Sequence, residues 1–280
     1  MSSEESFCPN YKMVSFDRSK NPIVYMVTQR ENGSLYTSIE GKVATIEFGH
    51  PAGNSFVAEL LDRLVNEINQ LSKNDAVSVI VLKSEGDRAF CGGASFDELL
   101  AVSNLEEGKV FFSGFAHVIN AMRKCKKVIV GRVQGKTVGG GLGLAAACDY
   151  VYASEAAAIR LSELSIGIAP LVIAPAVERK IGVAALSELS LAPTEWKNAY
   201  WAQEKGLFSK VFDDKKEMDK ELDFFVQKLS AYNPEALYEW KKVLWNQTDH
   251  WDQLLVERAA ITGKLVLSEF TKEALSKFKK

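Results

Sequence analysis

Apolar and polar positions along this chain change period several times, and each change marks an element. Residues 35–39 and 43–48 alternate with period two, the pattern of strands with one buried face, and Glu40-Gly41-Lys42 supplies the turn between them. Over 56–71 the spacing becomes helical. Leu60, Leu61, Leu64, Val65, Ile68 and Leu71 share one face, and Ser55 stands where a capping hydroxyl is expected. Residues 77–82 form a short apolar run, the mark of a buried strand. The spacing predicts a second helix over 105–123, with Phe111, Phe112, Phe115, Val118, Ile119 and Met122 on one face. A strand over Val128–Val133 and short strands at 151–153 and 158–161 follow. Beyond Gly167 the pattern is mainly helical, at 172–181, 183–190, 195–204, 216–230, 234–246, 251–268 and 270–279, with a strand-like exception at 208–212. Alternating strands and helices followed by helices predict an α/β core over 33–205 and a helical C-terminal region over 206–280. Residues 1–32 are polar and aperiodic and read as a loose leader with one apolar patch at 23–27.

Composition narrows the class. The chain has 280 residues, is 47% apolar and 25% charged, and carries a formal net charge of −2. A near-neutral balance argues against nucleic acid as a partner. No apolar run approaches the ~18–20 residues of a membrane span, so no membrane partner is expected. The first twelve residues are acidic and lack the apolar stretch of a signal peptide, which points to the cytoplasm. Cys8, Cys91, Cys125 and Cys148 are scattered and read as free thiols. His50, His117 and His250 lie far apart, so no histidine metal site is expected. Nothing reads as a flavin or nicotinamide site, and no cofactor is implied.

The most informative stretch is 134–149. Gly139, Gly140 and Gly141 follow the strand over Val128–Val133 and open a small-residue helical segment. A strand that turns through glycines into a helix N-terminus aims unpaired N–H groups and a positive dipole end at one spot. That suits an oxygen that becomes an anion during a reaction. The same glycines also suit tight helix–strand packing. The pattern is not GxGxxG, because Leu144 stands at the third glycine position, and no Gly-Lys-Ser/Thr makes it a phosphate loop. A second glycine-containing turn, at 88–96, lies about 45 residues earlier. Two such turns can each give one N–H to a single carbonyl oxygen, which is what an enolate needs.

Ordered segments then resemble the crotonase, or enoyl-CoA hydratase/isomerase, superfamily. They are VATIEFGHPAGNSF at 43–56, AFCGGAS at 89–95, KVIVGRVQGKTVGGG at 127–141 and LSELSIGI at 161–168, and the resemblance covers most of 34–280. It implies a spiral of strand-strand-helix repeats with a C-terminal helical region that forms a homotrimer or a dimer of trimers. It implies an acyl-CoA thioester as substrate, with coenzyme A part of that substrate. Carried over by motif, the oxyanion donors are the amides of Ala94 and Gly140. Arg88, Phe90, Cys91, Gly92 and Gly93 lie along the coenzyme arm, and Ser95, Gly139 and Gly141 complete the substrate-binding set. Phe270 and Lys277 match the family tail, which reaches the adenine of a neighbouring subunit. Asp149 matches a structural carboxylate.

The acids depart from the hydratase pattern. Hydratases of this superfamily carry one glutamate two residues after the three glycines and a second in a Pro-Glu-x-x-x-Gly segment. Here the first position is Gly143, while Glu163 fills the second, four residues before Gly167 and after Ser162. Adding water takes two cooperating groups, whereas moving a double bond takes one mobile base. The resemblance therefore implies an enoyl-CoA isomerase with Glu163 as proton shuttle, in an apolar pocket that raises its pKa. Alternatives stand beside it: an enoyl-CoA or methylglutaconyl-CoA hydratase in which Asp97, Glu98 or Ser95 replaces the missing acid, a decarboxylating member, or a non-catalytic acyl-CoA-binding subunit. No aspartate follows Ile166-Gly167-Ile168, which weighs against the dehalogenase and dihydroxynaphthoyl-CoA synthase branches. Cys91 and Ser95 have no histidine to activate them and read as pocket lining. The aromatic face at 111–119 reads either as acyl-tunnel wall or as helix packing.

Overall fold

The computed structural model describes residues 23–25 and 32–277. Strands β1 to β11 are Ile23–Tyr25, Ser34–Glu40, Val43–Gly49, Val79–Ser84, Ala89–Cys91, Val128–Val133, Lys136–Val138, Tyr150–Ser154, Ala158–Arg160, Lys197–Asn198 and Lys210–Phe212. Helices α1 to α10 are Ala58–Lys73, Phe96–Ala101, Leu105–Lys124, Gly140–Ala147, Ala174–Leu191, Ala199–Glu204, Lys215–Ser230, Pro234–Leu244, Trp251–Val266 and Glu269–Ser276. A 3-10 turn spans Glu163–Ile166.

Two sheets organise these elements. The larger has the order β1-β2-β3-β4-β6-β8-β11 and the smaller β10-β9-β7-β5. Leu60, Leu61, Leu64, Ile68 and Leu71 of α1 are buried, as their helical spacing predicts. They belong to the main core, with Ile46, Phe48, Ile80 and Leu82 from the larger sheet and Val118, Ile119 and Met122 from α3. Val43, Val79, Val81, Val130 and Tyr152 form a second cluster with Met218, Leu222 and Val226 of α7. The larger sheet is thus covered on both faces, which is why β4 opens Val-Ile-Val-Leu and β6 opens Val-Ile-Val without alternation.

The smaller sheet positions the site. Strands β5, β7 and β9 run parallel, with β7 between the other two. Their C-terminal ends therefore fall on one edge, and ligand sites of parallel sheets gather at such an edge. The three strands deliver the loop 92–94, the turn 139–140 and the segment Ser162-Glu163 to that place.

Several elements differ from the sequence expectation for identifiable reasons. The helix expected from 56 starts at Ala58, and Ser55 does not cap it. Phe56 is held extended because its N–H donates to Gly93 at 2.8 Å and its carbonyl accepts from Ser95 at 2.7 Å. The Ala58 N–H is satisfied from another element, by Glu98 Oε2 at 2.9 Å. Segments 172–181 and 183–190 form one element, α5, kinked at Gly182 where φ is 74°. The helix expected from 195 begins at Ala199, capped by Asn198, after the short strand β10. Strand β11 pairs with β8, so the larger sheet runs past the expected division at 205. Most of the expected leader lies outside the described residues, while Ile23–Tyr25 pairs antiparallel with Thr37, Ser38 and Ile39.

The C-terminal helices fold back over the core. Helices α9 and α3 meet through Gly108 and Gly263, where a methyl group on Gly108 would lie 2.7 Å from the Gly263 carbonyl oxygen. The Asn120 amide donates to the Trp251 carbonyl at 3.3 Å, and Arg123 pairs with Asp252 at 2.8 Å. This crossing brings Thr262 of α9 to the wall of the cavity described next.

Candidate active site

A cavity of about 160 Å³ opens where the three strand ends meet. Two glycine turns form one side of it. Gly93 has φ 95° and Gly139 φ 52°, left-handed conformations that favour glycine. The turns approach closely: a methyl group on Gly93 would lie 3.2 Å from the Val138 carbonyl oxygen and 3.7 Å from the Gly140 nitrogen. Gly140 is the first residue of α4, so its N–H has no partner within the helix. Among the described residues neither the Gly140 nor the Ala94 N–H has a hydrogen-bond acceptor in the protein. Both residues line the cavity.

Glu163 supplies the acid. It opens the 3-10 turn that Gly167 ends in a left-handed conformation, φ 82°. Its Oε1 lies against the glycine turn, 2.8 Å from where a methyl group on Gly139 would sit. The residue as a whole is half-buried, but its Oε2 is buried and has no hydrogen-bond partner. Burial pushes the carboxyl up to about 7, against a smaller downward pull from its own backbone N–H and the Arg160 charge. Among the described residues no other on the cavity wall carries an ionisable side chain, and most are apolar, among them Phe111, Phe112, Ile168 and Leu171.

The expected site residues separate into three groups. Gly92, Gly93, Ala94, Gly139, Gly140 and Glu163 come together on the cavity wall. Phe90, Cys91, Ser95 and Gly141 lie behind it. Phe90 is fully buried and meets the Phe48 ring edge-on at 5.4 Å. The Cys91 sulfur accepts from the Gly93 N–H at 3.3 Å, and burial pushes its thiol up to about 12. Cys91 therefore braces the loop as a neutral thiol and does not line the pocket. A methyl group on Gly141 would lie 2.5 Å from Cys91 Cβ, so this glycine serves close packing. Ser95 is the N-cap of α2, accepting from the Glu98 N–H at 3.3 Å, and is likewise not pocket lining. Arg88, Phe270 and Lys277 are exposed and off the wall. Phe270 packs beside Gly167, at the end of the turn that carries Glu163.

Of the aromatic face at 111–119, Phe111 and Phe112 line the cavity, while Phe115 packs directly beneath Gly140. Neither proposed replacement acid reaches the cavity: Glu98 caps α1 and Asp97 is exposed. Gly143 is buried, and Ile173 fills the space beside it. Leu171, Val172, Ile173 and Thr262 are wall residues that the motifs do not mark. Only the helical run after Gly167 hints at them. Asp149 is structural, as the resemblance implied: it accepts from the Ile129 N–H at 2.8 Å and pairs with Lys241 at 2.9 Å. Among the described residues no three His, Cys, Asp or Glu side chains gather to hold a metal ion, and no helix is long and apolar enough to cross a membrane.

Comparison with known proteins places the chain. Residues 38–278 match the family model for enoyl-CoA hydratase/isomerase. The chain is 28% identical over 222 residues to a peroxisomal Δ(3,5)-Δ(2,4)-dienoyl-CoA isomerase of Arabidopsis thaliana, covering 75% of this chain and 79% of that one. It is 26% identical over 249 residues to a probable enoyl-CoA hydratase of Bacillus subtilis, covering 88% and 95%. The fold is similar to the crystal structure of an enoyl-CoA hydratase from Bacillus halodurans, with a TM-score of 0.81 at 22% identity over 87% of this chain and 99% of that one. On its two glycine turns, its fold and the match across nearly its whole length, the chain belongs to the enoyl-CoA hydratase/isomerase family.

Proposed function

We propose that this protein shifts a double bond within an enoyl-CoA thioester, using Glu163 as its one acid–base group. The reading rests above all on one observation: among the described residues Glu163 is the sole ionisable side chain on the cavity wall, and it has a bare Oε2 and a carboxyl pushed up to about 7. Near neutral pH such a group is divided between base and acid forms, as a shuttle requires.

The reaction balances without water or a redox partner. The Glu163 carboxylate takes a C2 proton from a 3-enoyl thioester, and the C–H electrons move through the carbonyl carbon onto the thioester oxygen. The Ala94 and Gly140 amides hold that oxygen. The resulting dienolate collapses, the carbonyl reforms, a C2–C3 double bond appears, and C4 takes back the proton from Glu163. Each oxyanion donor in such a pair is worth about 3–4 kcal/mol of barrier. Coenzyme A enters as part of the substrate, and no separate cofactor takes part.

The test is to mix the purified protein with a trans-3-enoyl-CoA and follow product mass and conjugated-thioester absorbance. An isobaric conjugated product, lost in Glu163→Gln, is expected. A second reading, addition of water to a trans-2-enoyl-CoA, is favoured by the name of the B. subtilis relative. A product that gains the mass of water, with no double-bond shift, would replace the first reading with the second. Tight thioester binding without turnover would instead mark a binding subunit.

A further inference from the structure

Isomerisation and hydration of an enoyl thioester differ by one polar group. Both use a base, and hydration also needs an acceptor that fixes and deprotonates a water. Besides Glu163, the polar side chains on the cavity wall among the described residues are Ser162 and Thr262. The Thr262 hydroxyl already donates to the Arg258 carbonyl at 3.0 Å.

The place from which a second carboxylate would enter is filled. Gly143 lies buried inside α4. A methyl group on it would lie 2.5 Å from Ile173 Cγ2, 2.8 Å from Ile173 Cβ and 3.6 Å from Ile119 Cδ1. The nearest atoms belong to the root of a β-branched side chain, which is stiff at χ1 and cannot swing clear. The backbone beneath is held too: the Ile173 carbonyl accepts from Val177 at 3.1 Å, and the Ala174 N–H donates to Pro170 at 3.0 Å. Ile173 is only 4% exposed, and it lines the cavity.

From this packing we infer that Ile173 is the residue that confines the site to one-carboxylate chemistry. Its side chain takes the volume that a polar group at 143 would need and presents hydrocarbon to the cavity instead. A water there meets no second carboxylate that could fix and deprotonate it. The inference rests on the proposed reading of the cavity, yet it makes a separate demand. Positions 143 and 173 must act as one steric switch.

The test is a cycle of full-length variants: Gly143→Glu, Ile173→Ala and the two together, with Ile173→Glu as an arm that leaves Gly143 untouched. Each is assayed for water addition to a trans-2-enoyl-CoA and for double-bond shift in a trans-3-enoyl-CoA, with a thermal transition as the check on folding. Neither Gly143→Glu nor Ile173→Ala alone is expected to add water faster than the parent. The pair is expected to gain at least tenfold over either, and Ile173→Glu is expected to gain without help from 143. The inference is overturned if Gly143→Glu alone hydrates as fast as the pair, because Ile173 is then no barrier. It is also overturned if the folded pair stays at the parent's rate. Should the pair fail to fold, Ile173→Glu decides, a gain supporting the inference and none overturning it. Failure of the underlying isomerase reading appears elsewhere, as a parent chain that does not move the double bond.

Discussion

Two buried carboxylates stand at opposite ends of helix α4, and their surroundings could hardly differ more. Asp149, just past its C-terminus, has a side chain only 3% exposed, and every direction around it is occupied. Its Oδ2 accepts from the Ile129 N–H at 2.8 Å and lies 2.9 Å from Lys241 Nζ, while its Oδ1 accepts from Trp245 Nε1 at 2.7 Å. Glu163, at the N-terminal end, rests its Oε1 against Gly139 and leaves Oε2 without a partner. A satisfied carboxylate holds three elements together: β6, β8 with its preceding turn, and α8. A bare one keeps its proton to higher pH and can give it away. Burial is common to both, so it is the supply of partners that separates the structural acid from the one proposed to react.

The largest effects should come from exchanging each acid for its amide. Glu163→Gln is expected to lower turnover about 10²–10⁴-fold, the usual worth of a general acid–base group, and to leave the fold intact. Asp149→Asn is expected to do the reverse. It leaves the Lys241 ammonium, 2% exposed, buried without its counter-charge, and breaking such a pair costs about 3–5 kcal/mol. Urea titration should show that loss, while turnover per folded molecule stays within a few-fold of the parent. An Asp149→Asn variant of unchanged stability, or a Glu163→Gln variant that unfolds, would break the contrast.

Much of this contrast is legible in the sequence, and the remainder is long-range. The glycine turns could be read because a strand running into Gly139-Gly140-Gly141 and a small-residue helix admits few local structures. Glu163 could be placed only through the resemblance, as the glutamate four residues before Gly167, and the two residues open and close one 3-10 turn. Ile173 could not be anticipated, because nothing near it in sequence reports that its methyl group faces Gly143 from the residue that precedes α5. Ser55 departs from its expected role for a similar reason. Its local context is that of a cap, but the bridge between Phe56 and the 93–95 loop delays the helix, and the cap comes from Glu98, 40 residues away. Cys91 reads as pocket lining because it adjoins the 92–94 loop in sequence, yet its side chain is wholly buried and packs against Gly141 instead.

A smaller effect is expected at the point where Glu163 meets α4. Gly139→Ala puts a methyl group 2.8 Å from Glu163 Oε1 at a φ of 52°. The backbone strain costs about 1–3 kcal/mol. The carboxylate must also retreat, so turnover should fall roughly tenfold or more even in molecules that remain folded. The Asp149 end should not register the change, and the fluorescence of Trp245, which bonds to it, is the measurement that checks this.

The smallest effect is the one that ties reactivity to stability. The Glu163 carboxyl is raised from 4.5 to about 7, so between those values the folded chain holds a proton that the unfolded chain has released. Folded-state proton uptake above the unfolded level means that stability falls as pH rises through this window and stays lowered above it. The full shift would correspond to about 3 kcal/mol, and partial exposure of the residue cuts it to roughly 1–2. Activity runs the other way, since kcat/KM rises as the base form accumulates through about pH 7. Glu163→Gln removes the ionisation. Its Tm should therefore exceed the parent's by about 2–4 °C at pH 8 and match it at pH 4. Equal melting temperatures at both pH values would mean that the buried carboxyl is not held protonated, and the bare Oε2 would then have lost its chemical meaning.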